Sequence, residues 1–384
     1  MKRQRRNKKQ NVSGCKEILT AIPLIILSVF ICGNYFSSFV AKAAVISAGI
    51  MLPQGAVGTV YKSIQNSNEN NNTQNTIEVP TVISDEPSEQ TVNSVKKSDI
   101  PEDIQKMVRE AQLQYSDYTH DGVIVEKQYD ASSATSTFQN ITVRNTTSSH
   151  SINIESSLNQ KPTINITDKT QPTVLIFHTH TTESYQMLNN DWYTTEYPTR
   201  SNDLTRNMAR VGTAICEELE KSGIGYIHDT EIHDTAYTGA YDRSRETILK
   251  IMKENPSIQI VLDVHRDAIE QKDGTRIKPT AVINNKKAAQ IMIIAGCEDG
   301  KVSSFPSWEQ NLTFALQLHK KAETLYPGLM RPILFSARKY NMDVIPCSVL
   351  LEFGSDSNTL AEAEYSGHLM GRAIAEFVNS NTAT

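Results

Sequence analysis

The chain has 384 residues, of which 39% are hydrophobic and 21% charged, and a formal net charge of −5. Residues 1–61 carry eight Lys/Arg against one Glu, a net of +7, which leaves −12 for residues 62–384. An acidic body excludes nucleic acid as the partner, because phosphate binding needs a cationic surface; the length allows two domains, or one large domain with appendages.

Six basic side chains stand in MKRQRRNKKQ, and no charged residue occurs from Ile18 to Val40. That run is about as long as a hydrocarbon core is thick. It predicts a basic tail over residues 1–17 and a single-pass anchor over 18–40, with the N-terminus cytoplasmic and the rest outside. A cleaved signal peptide is the alternative, since FVAKAA offers a small-residue site. Against it, the run is longer than a typical signal core and contains Pro23.

Residues 41–100 read as a juxtamembrane segment and a disordered tether. NSNENNNTQNT and SDEPSEQ hold too little apolar surface to fold. Residues 101–171 contain short alternating pieces, GVIVEKQY and NITVRNTT, which predict a small β-rich module.

From Pro172 strand-like and helix-like runs alternate. TVLIF is followed by Leu204, Met208, Val211, Ile215 and Leu219 at amphipathic helical spacing. GIGYI, a helix around Arg243–Lys253, the buried strands SIQIVLDVH and QIMIIAG, and a helix over about Glu309–Tyr326 come next. PILFSA and CSVLLEFG read as strands, and a helix from Leu360 to Phe377 closes the chain. This order predicts an α/β domain over 172–384 with a mostly parallel central sheet flanked by helices. Ligand sites in such sheets lie at the carboxyl ends of the strands.

Three of these strands end in ionisable residues. HTHTTESY supplies His178, His180 and Glu183; VLDVHRDA supplies Asp263, His265 and Asp267; VLLEFGSDSN supplies Glu352. Burying one unpaired carboxylate or imidazole is costly. Three such costs on one sheet edge are most simply offset by one shared ion. Imidazole plus carboxylate with an open position is the ligand set of catalytic zinc. His180 and Glu183 form H-x-x-E, so one loop supplies two ligands, and His265 supplies the third. Glu352, after SVLL and before Phe353-Gly354, suits a general base with a pKa raised by desolvation. Zinc would polarise the scissile carbonyl and acidify water, and Glu352 would take the proton.

Together HTHTTESY, DVHRDA and LLEFGSDSN resemble the stage II sporulation protein P family, membrane-anchored peptidoglycan hydrolases of endospore formers. Their catalytic domain is related to zinc-dependent N-acetylmuramoyl-L-alanine amidases, which carry D-P-G-H-G-G, S-I-H-x-N-A and E-x-G-F-x-S-N. His180 matches the first motif, His265 and Ala268 the second, and Glu352, Gly354, Ser357 and Asn358 the third. The first motif departs, lacking its Asp-Pro-Gly and Gly-Gly. The amidases place a glutamate ligand at the start of the first helix, where Asp203 stands here, so the second ligand lies between Glu183 and Asp203. The H-x-x-E spacing, also resembling zinc carboxypeptidases, favours Glu183. The resemblance covers roughly residues 110–380. It implies a Zn²⁺ enzyme in the septal space between mother cell and forespore, acting in engulfment with stage II sporulation proteins D and M. The amide between lactyl and L-alanine is the expected bond, and the stem-peptide cross-link is the second possibility.

Other residues have plainer readings. Arg266 and Asn358 are expected to bind substrate, although Arg266 and Asp267 could simply pair with each other. His178 could cap the strand end or support the ligands, or be a ligand itself, since alternation would turn it to the face of His180. Asp203 suits a helix N-cap, and Asp263 could orient His265 or pair with a core lysine. Cys216, Cys297 and Cys347 read as core residues. NNDWYTTEYPTR is a long aromatic loop, either lining a groove or anchored in solvent. Two other functions compete: a wall-binding ectodomain without catalysis, and a metal amidohydrolase barrel, which needs more strands than the sequence shows.

Overall fold

The computed structural model describes residues 100–115 and 117–382. The basic tail, the anchor and the tether up to residue 99 lie outside them. Among the described residues no helix is long and apolar enough to cross a membrane.

The elements begin with α1 (Glu102–Tyr115), β1 (Gly122–Lys127), β2 (Ser136–Phe138), β3 (Ile141–Asn145), α2 (Ile154–Leu158) and β4 (Pro172–Phe177). There follow β5 (Trp192–Tyr193), α3 (Met208–Lys221), β6 (Gly225–His228), α4 (Ala240–Glu254) and β7 (Ile260–Asp267). The rest are β8 (Arg276–Ile283), β9 (Lys286–Ala289), β10 (Ile291–Gly296), α5 (Trp308–Leu325), β11 (Ile333–Ser336), β12 (Ser348–Ser355) and α6 (Leu360–Asn381).

The architecture is mixed α/β. An eight-stranded sheet runs β2-β3-β11-β10-β12-β7-β4-β6. Its pairings are parallel except β2–β3 and β10–β12. Helices cover both faces, which is why its central strands are apolar on both sides. Alternation sends Val174, Ile176, Leu262 and Val264 to the face packed with α3, α5 and α6. Leu175, Phe177 and Val261 go to the other face, against Ile248 of α4.

Residues 101–171, expected as a separate β-rich module, are built into the same body instead. They open with a helix; β3 pairs with β11 in the large sheet, and β1 pairs with β8 in a second sheet, β5-β1-β8-β9. Edge strands with few apolar residues carry no mark of which sheet they join. The β8–β9 hairpin was not expected at all. Its signal is Asn284-Asn285, both at positive φ (50° and 61°), the two-residue turn whose twist matches a hairpin.

Helix starts also differ from expectation. The helix after β4 begins at Met208, capped by Asn207, whose side chain accepts from the Ala209 amide. Asp203 is not the cap. It accepts from Thr205 N and Oγ1 in a turn one step earlier, its side chain about half exposed (49%). Leu204 falls before the helix for the same reason. At α6 the cap is complete: Thr359 and Glu362 form a reciprocal capping box.

Candidate active site

The strands β12, β7 and β4 are adjacent and parallel, so their carboxyl ends share one edge. Register places Glu352 opposite His265, and Phe177 opposite Asp263. Within β7, Asp263 and His265 share the parity of Val261, and Glu352 that of Leu350. All three therefore stand on the face covered by α4 rather than by α3.

Past Phe177 the chain turns off the strand, and residues 178–185 are all buried. Threonines and carboxylates satisfy its polar groups. Asp263 accepts from Thr179 N at 2.9 Å and from its Oγ1 at 2.8 Å. Asp234 accepts from Thr182 N at 3.1 Å and Oγ1 at 2.6 Å. Thr181 Oγ1 donates to the backbone oxygens of His178 and Glu231. The turn separates the two histidines, contrary to simple alternation. His178 points toward α3, with Nδ1 2.9 Å from Val264 O and Nε2 2.9 Å from His228 Nε2. It is a supporting residue of the loop.

His180 goes the other way. Its ring meets that of His265 edge to face, with centroids 5.2 Å apart. Its Nδ1 is buried and without a hydrogen-bond partner among the described residues, 3.9 Å from Asp234 Oδ2. His265 Nδ1 lies 3.5 Å from Glu183 Oε2, while Nε2 lies 2.7 Å from Asp263 Oδ1. Asp263 thus lies in ion-pair range of His265, although the geometry does not make that contact a hydrogen bond. Glu183 also lies 3.6 Å from Arg200, which reaches Asp234 at 2.6 Å. His180 and Glu183 each lie beside His265, at a ring-centroid distance of 5.2 Å and an Nδ1–Oε2 distance of 3.5 Å, without their donor atoms all falling within 4.8 Å of one another, and Asp203 is not among them.

Charge is unevenly tuned here. Burial pushes the Glu183 carboxyl up, but the His265 hydrogen bond and the Arg266 charge outweigh it and hold it at about 2. Glu352 has less help, with His265 and Arg331 lowering it too little to offset the rest. Burial first, then the Asp267 charge, lift its carboxyl to about 8. Its Oε2 has no hydrogen-bond partner among the described residues. Burial and then the neighbouring His265 lower His180. Burial likewise works against the charged form of His265, but Asp263 and Glu183 raise it well above the ordinary range.

Two expected substrate contacts are structural instead. Arg266 is buried and donates through Nε to Ser184 O at 2.9 Å and through an Nη to Thr199 O at 2.8 Å. It clamps the loop that carries Glu183 and does not pair with the Asp267 carboxylate, which takes Arg331 at 3.0 Å. Asn358 is fully buried. Its Oδ1 accepts from Ser355 N at 2.9 Å, and its Nδ2 donates to Pro279 O and Glu362. It closes the turn after β12, where Gly354 sits at φ +64° with Asn358 Oδ1 only 2.3 Å from where a Cβ would be. The aromatic loop after Glu183 sends Trp192 onto His120 and Tyr193 under Arg276.

Site residues without a sequence signal came from the loop after β6 and from α4: Asp234, Tyr237 and Tyr241. They lie in no periodic run, and only folding sets them against His180. The same loop holds Asp229, Glu231 and His233, whose donor atoms all lie within 4.8 Å of one another and could hold a metal ion. His233 Nε2 and Asp229 Oδ2 are already 2.8 Å apart.

The zinc expectation can be weighed on these observations. Two imidazoles and one carboxylate fit zinc. The unpartnered Nδ1 leaves His180 free to act as a ligand, although buried His319 of α5 has unpartnered ring nitrogens among the described residues as well.

A family model described as Stage II sporulation protein P matches residues 57–375. Stage II sporulation protein P of Bacillus subtilis (strain 168) is 29% identical over 216 residues, which cover 53% of this chain and 50% of that protein. The match thus spans about half the length of that curated relative. Among solved structures, the N-acetylmuramoyl-L-alanine amidase AmiC2 of Nostoc punctiforme is similar over 56% of this chain and 97% of its own, with 12% identity and a TM-score of 0.34. The CwlD amidase from Clostridioides difficile, solved in complex with the GerS lipoprotein, is similar over 54% and 98%, with 13% identity and a TM-score of 0.34.

Proposed function

The chain belongs to the stage II sporulation protein P family, and we propose that it is a zinc-dependent peptidoglycan amidase of sporulation, held to the membrane through residues 18–40. Its bond is the amide between the lactyl group and L-alanine, with the stem-peptide cross-link as a second substrate. Stage II sporulation proteins D and M are its partners in this reading.

One observation carries the chemistry. Glu352 is a half-buried carboxylate in register with His265 on the next strand, and its Oε2 is buried and unpartnered among the described residues. A structural carboxylate in that place would be hydrogen-bonded or paired. A base working near neutral pH needs the raised pKa that burial provides here.

His180, Glu183 and His265 would hold the ion, with Asp263 beside the His265 ring. When bound, zinc supplies Lewis-acid polarisation of the amide carbonyl. Glu352 takes a proton from the attacking water and delivers it to the leaving nitrogen. The C–N bond then breaks to leave a carboxylate and a free amine. Asp263, Asp234 and Arg266 do no chemistry; they hold the loop that positions His180 and Glu183.

Digestion of purified sacculi, with and without chelator, tests this. The expected products are glycan strands free of peptide and stem peptides with a new L-alanine amine, identified by mass. Release should stop with chelator and return with added zinc. A chelator-insensitive digest would remove the zinc reading, and intact sacculi would remove the hydrolase.

A further inference from the structure

An aromatic face leads away from His180. Tyr237, though 68% exposed, lies flat on the His180 ring, with centroids 4.7 Å apart and planes within 2°. Tyr241 of α4 meets the same imidazole edge to face at 5.6 Å. Tyr340 then stacks on Tyr241 at 4.9 Å and 11°. Arginines flank both ends: Arg200 lies 5.5 Å from the Tyr237 ring centre and Arg338 lies 5.2 Å from that of Tyr340.

Tyr340 is held in place at a conformational cost. Tyr340 and Asn341 are consecutive non-glycine residues in left-handed backbone, at φ 43° and 59°. Such strain persists only where the surroundings enforce it. Here they do. Asn341 Nδ2 donates to Tyr241 O at 2.9 Å and Ser244 Oγ at 3.1 Å, and Asp343 takes both Nη atoms of Arg245 at 2.8 and 3.0 Å. The loop is pinned to α4 with Tyr340 against Tyr241.

We propose that Tyr237, Tyr241 and Tyr340 form a saccharide platform that seats the glycan strand of the substrate beside His180. This rests on the peptidoglycan reading above. The platform is continuous with the candidate active site. Aromatic faces suit the apolar C–H faces of pyranose rings, while Arg200, already held by Asp234 and Glu183, and Arg338, held by the Tyr340 hydroxyl, brace the rings from their ends. A stem peptide offers carboxylates and amides but no such flat apolar face.

The test uses the purified full chain with Tyr237→Ala and Tyr340→Gly. Glycine accepts the left-handed backbone without strain, so the second variant removes the ring while sparing the loop. Tyr237→Phe and Tyr340→Phe keep the rings. Binding of peptide-free glycan strands and of free stem peptide is measured by calorimetry, together with KM on sacculi and zinc content. Each ring deletion should weaken glycan binding and raise KM about five- to tenfold, the weight of one aromatic stack. Stem-peptide binding and zinc content should hold, and both Phe variants should bind glycan more tightly than the ring deletions, because the rings remain. Glycan binding unchanged in both deletions overturns the platform while leaving the hydrolase intact. Loss of stem-peptide binding instead would assign the face to the peptide and also overturn it. If sacculi stay intact but glycan binding falls as expected, the platform stands and the amidase falls.

Discussion

Glu352 and His265 stand opposite each other on neighbouring parallel strands, and their environments drive them apart in charge. His265 is raised well above the ordinary imidazole range by Asp263 and Glu183. Glu352 is lifted to about 8 by burial and by Asp267. One position keeps its partners, and the other is left with an unpaired oxygen that can accept a proton.

Glu352→Gln should cut turnover by about 10²–10⁴, the usual contribution of a positioned base, and leave zinc content unchanged. In metal-free protein it should also stabilise the fold by about 3 kcal/mol at neutral pH, because the amide carries no ionisation penalty and each pKa unit is worth about 1.4 kcal/mol. The sign follows from the raised carboxyl. The folded chain holds the proton up to about 8, whereas the ordinary value is 4.5. Ionisation therefore costs the wild type progressively more stability as pH climbs from about 4.5, levelling off above about 8. Denaturant melts of both proteins at pH 4, 6 and 8 should show the gap widening with pH.

Zinc content separates the ligands from their neighbours. His180→Ala and His265→Ala should lose zinc and hydrolysis together. Glu183→Gln should lose both in part, with excess Zn²⁺ restoring some activity, because a neutral oxygen is a weaker ligand. Asp203→Asn is the control and should keep both, since its carboxylate caps an exposed turn. Zinc lost from Asp203→Asn and kept by Glu183→Gln would move the second ligand to Asp203.

Gly212→Ala tests the support beneath the histidine loop. A Cβ at Gly212 would come within 2.5 Å of His228 Nε2 and 2.7 Å of His178 Nε2. The two rings, now hydrogen-bonded to each other, would have to part. A loss of about 1–3 kcal/mol is expected, the range for overpacking a filled core. Unchanged stability in a denaturant melt would mean that α3 can shift to make room.

Lys278 ties the four-stranded sheet to the last helix. Its side chain is 1% exposed and its Nζ lies 2.8 Å from Glu362 Oε1, with Asn189 and Glu126 as further partners. Lys278→Met should cost about 3–5 kcal/mol, because it leaves Glu362 buried and unpaired. Adding Glu362→Gln should cost less than the sum of the two single changes, a coupling that a double-mutant cycle reads directly.

The local code of this chain is strong where periodicity is strong. Apolar runs such as Val174–Phe177 and Ile260–Val264 announce strands buried on both faces, and alternation with amphipathic helices announces a mostly parallel α/β sheet. The clustering of His180, Glu183, His265 and Glu352 was also legible, because an ionisable residue at the end of a buried strand is costly wherever the strands lie. What the sequence could not carry is direction and neighbourhood off the strands. His178 and His180 differ by two residues yet turn to opposite faces, because a threonine-pinned turn overrides alternation. Arg266 and Asn358 look like site residues by position, but backbone carbonyls and a glycine turn absorb their polar groups. Tyr237, Tyr241 and Asp234 reach His180 from a loop and a helix start, and Tyr340 reaches Tyr241 from a strained turn. Strand and helix periods are set by the backbone within a few residues, and so are written locally. Contacts between loops depend on where every other element comes to rest, and only the folded chain decides them.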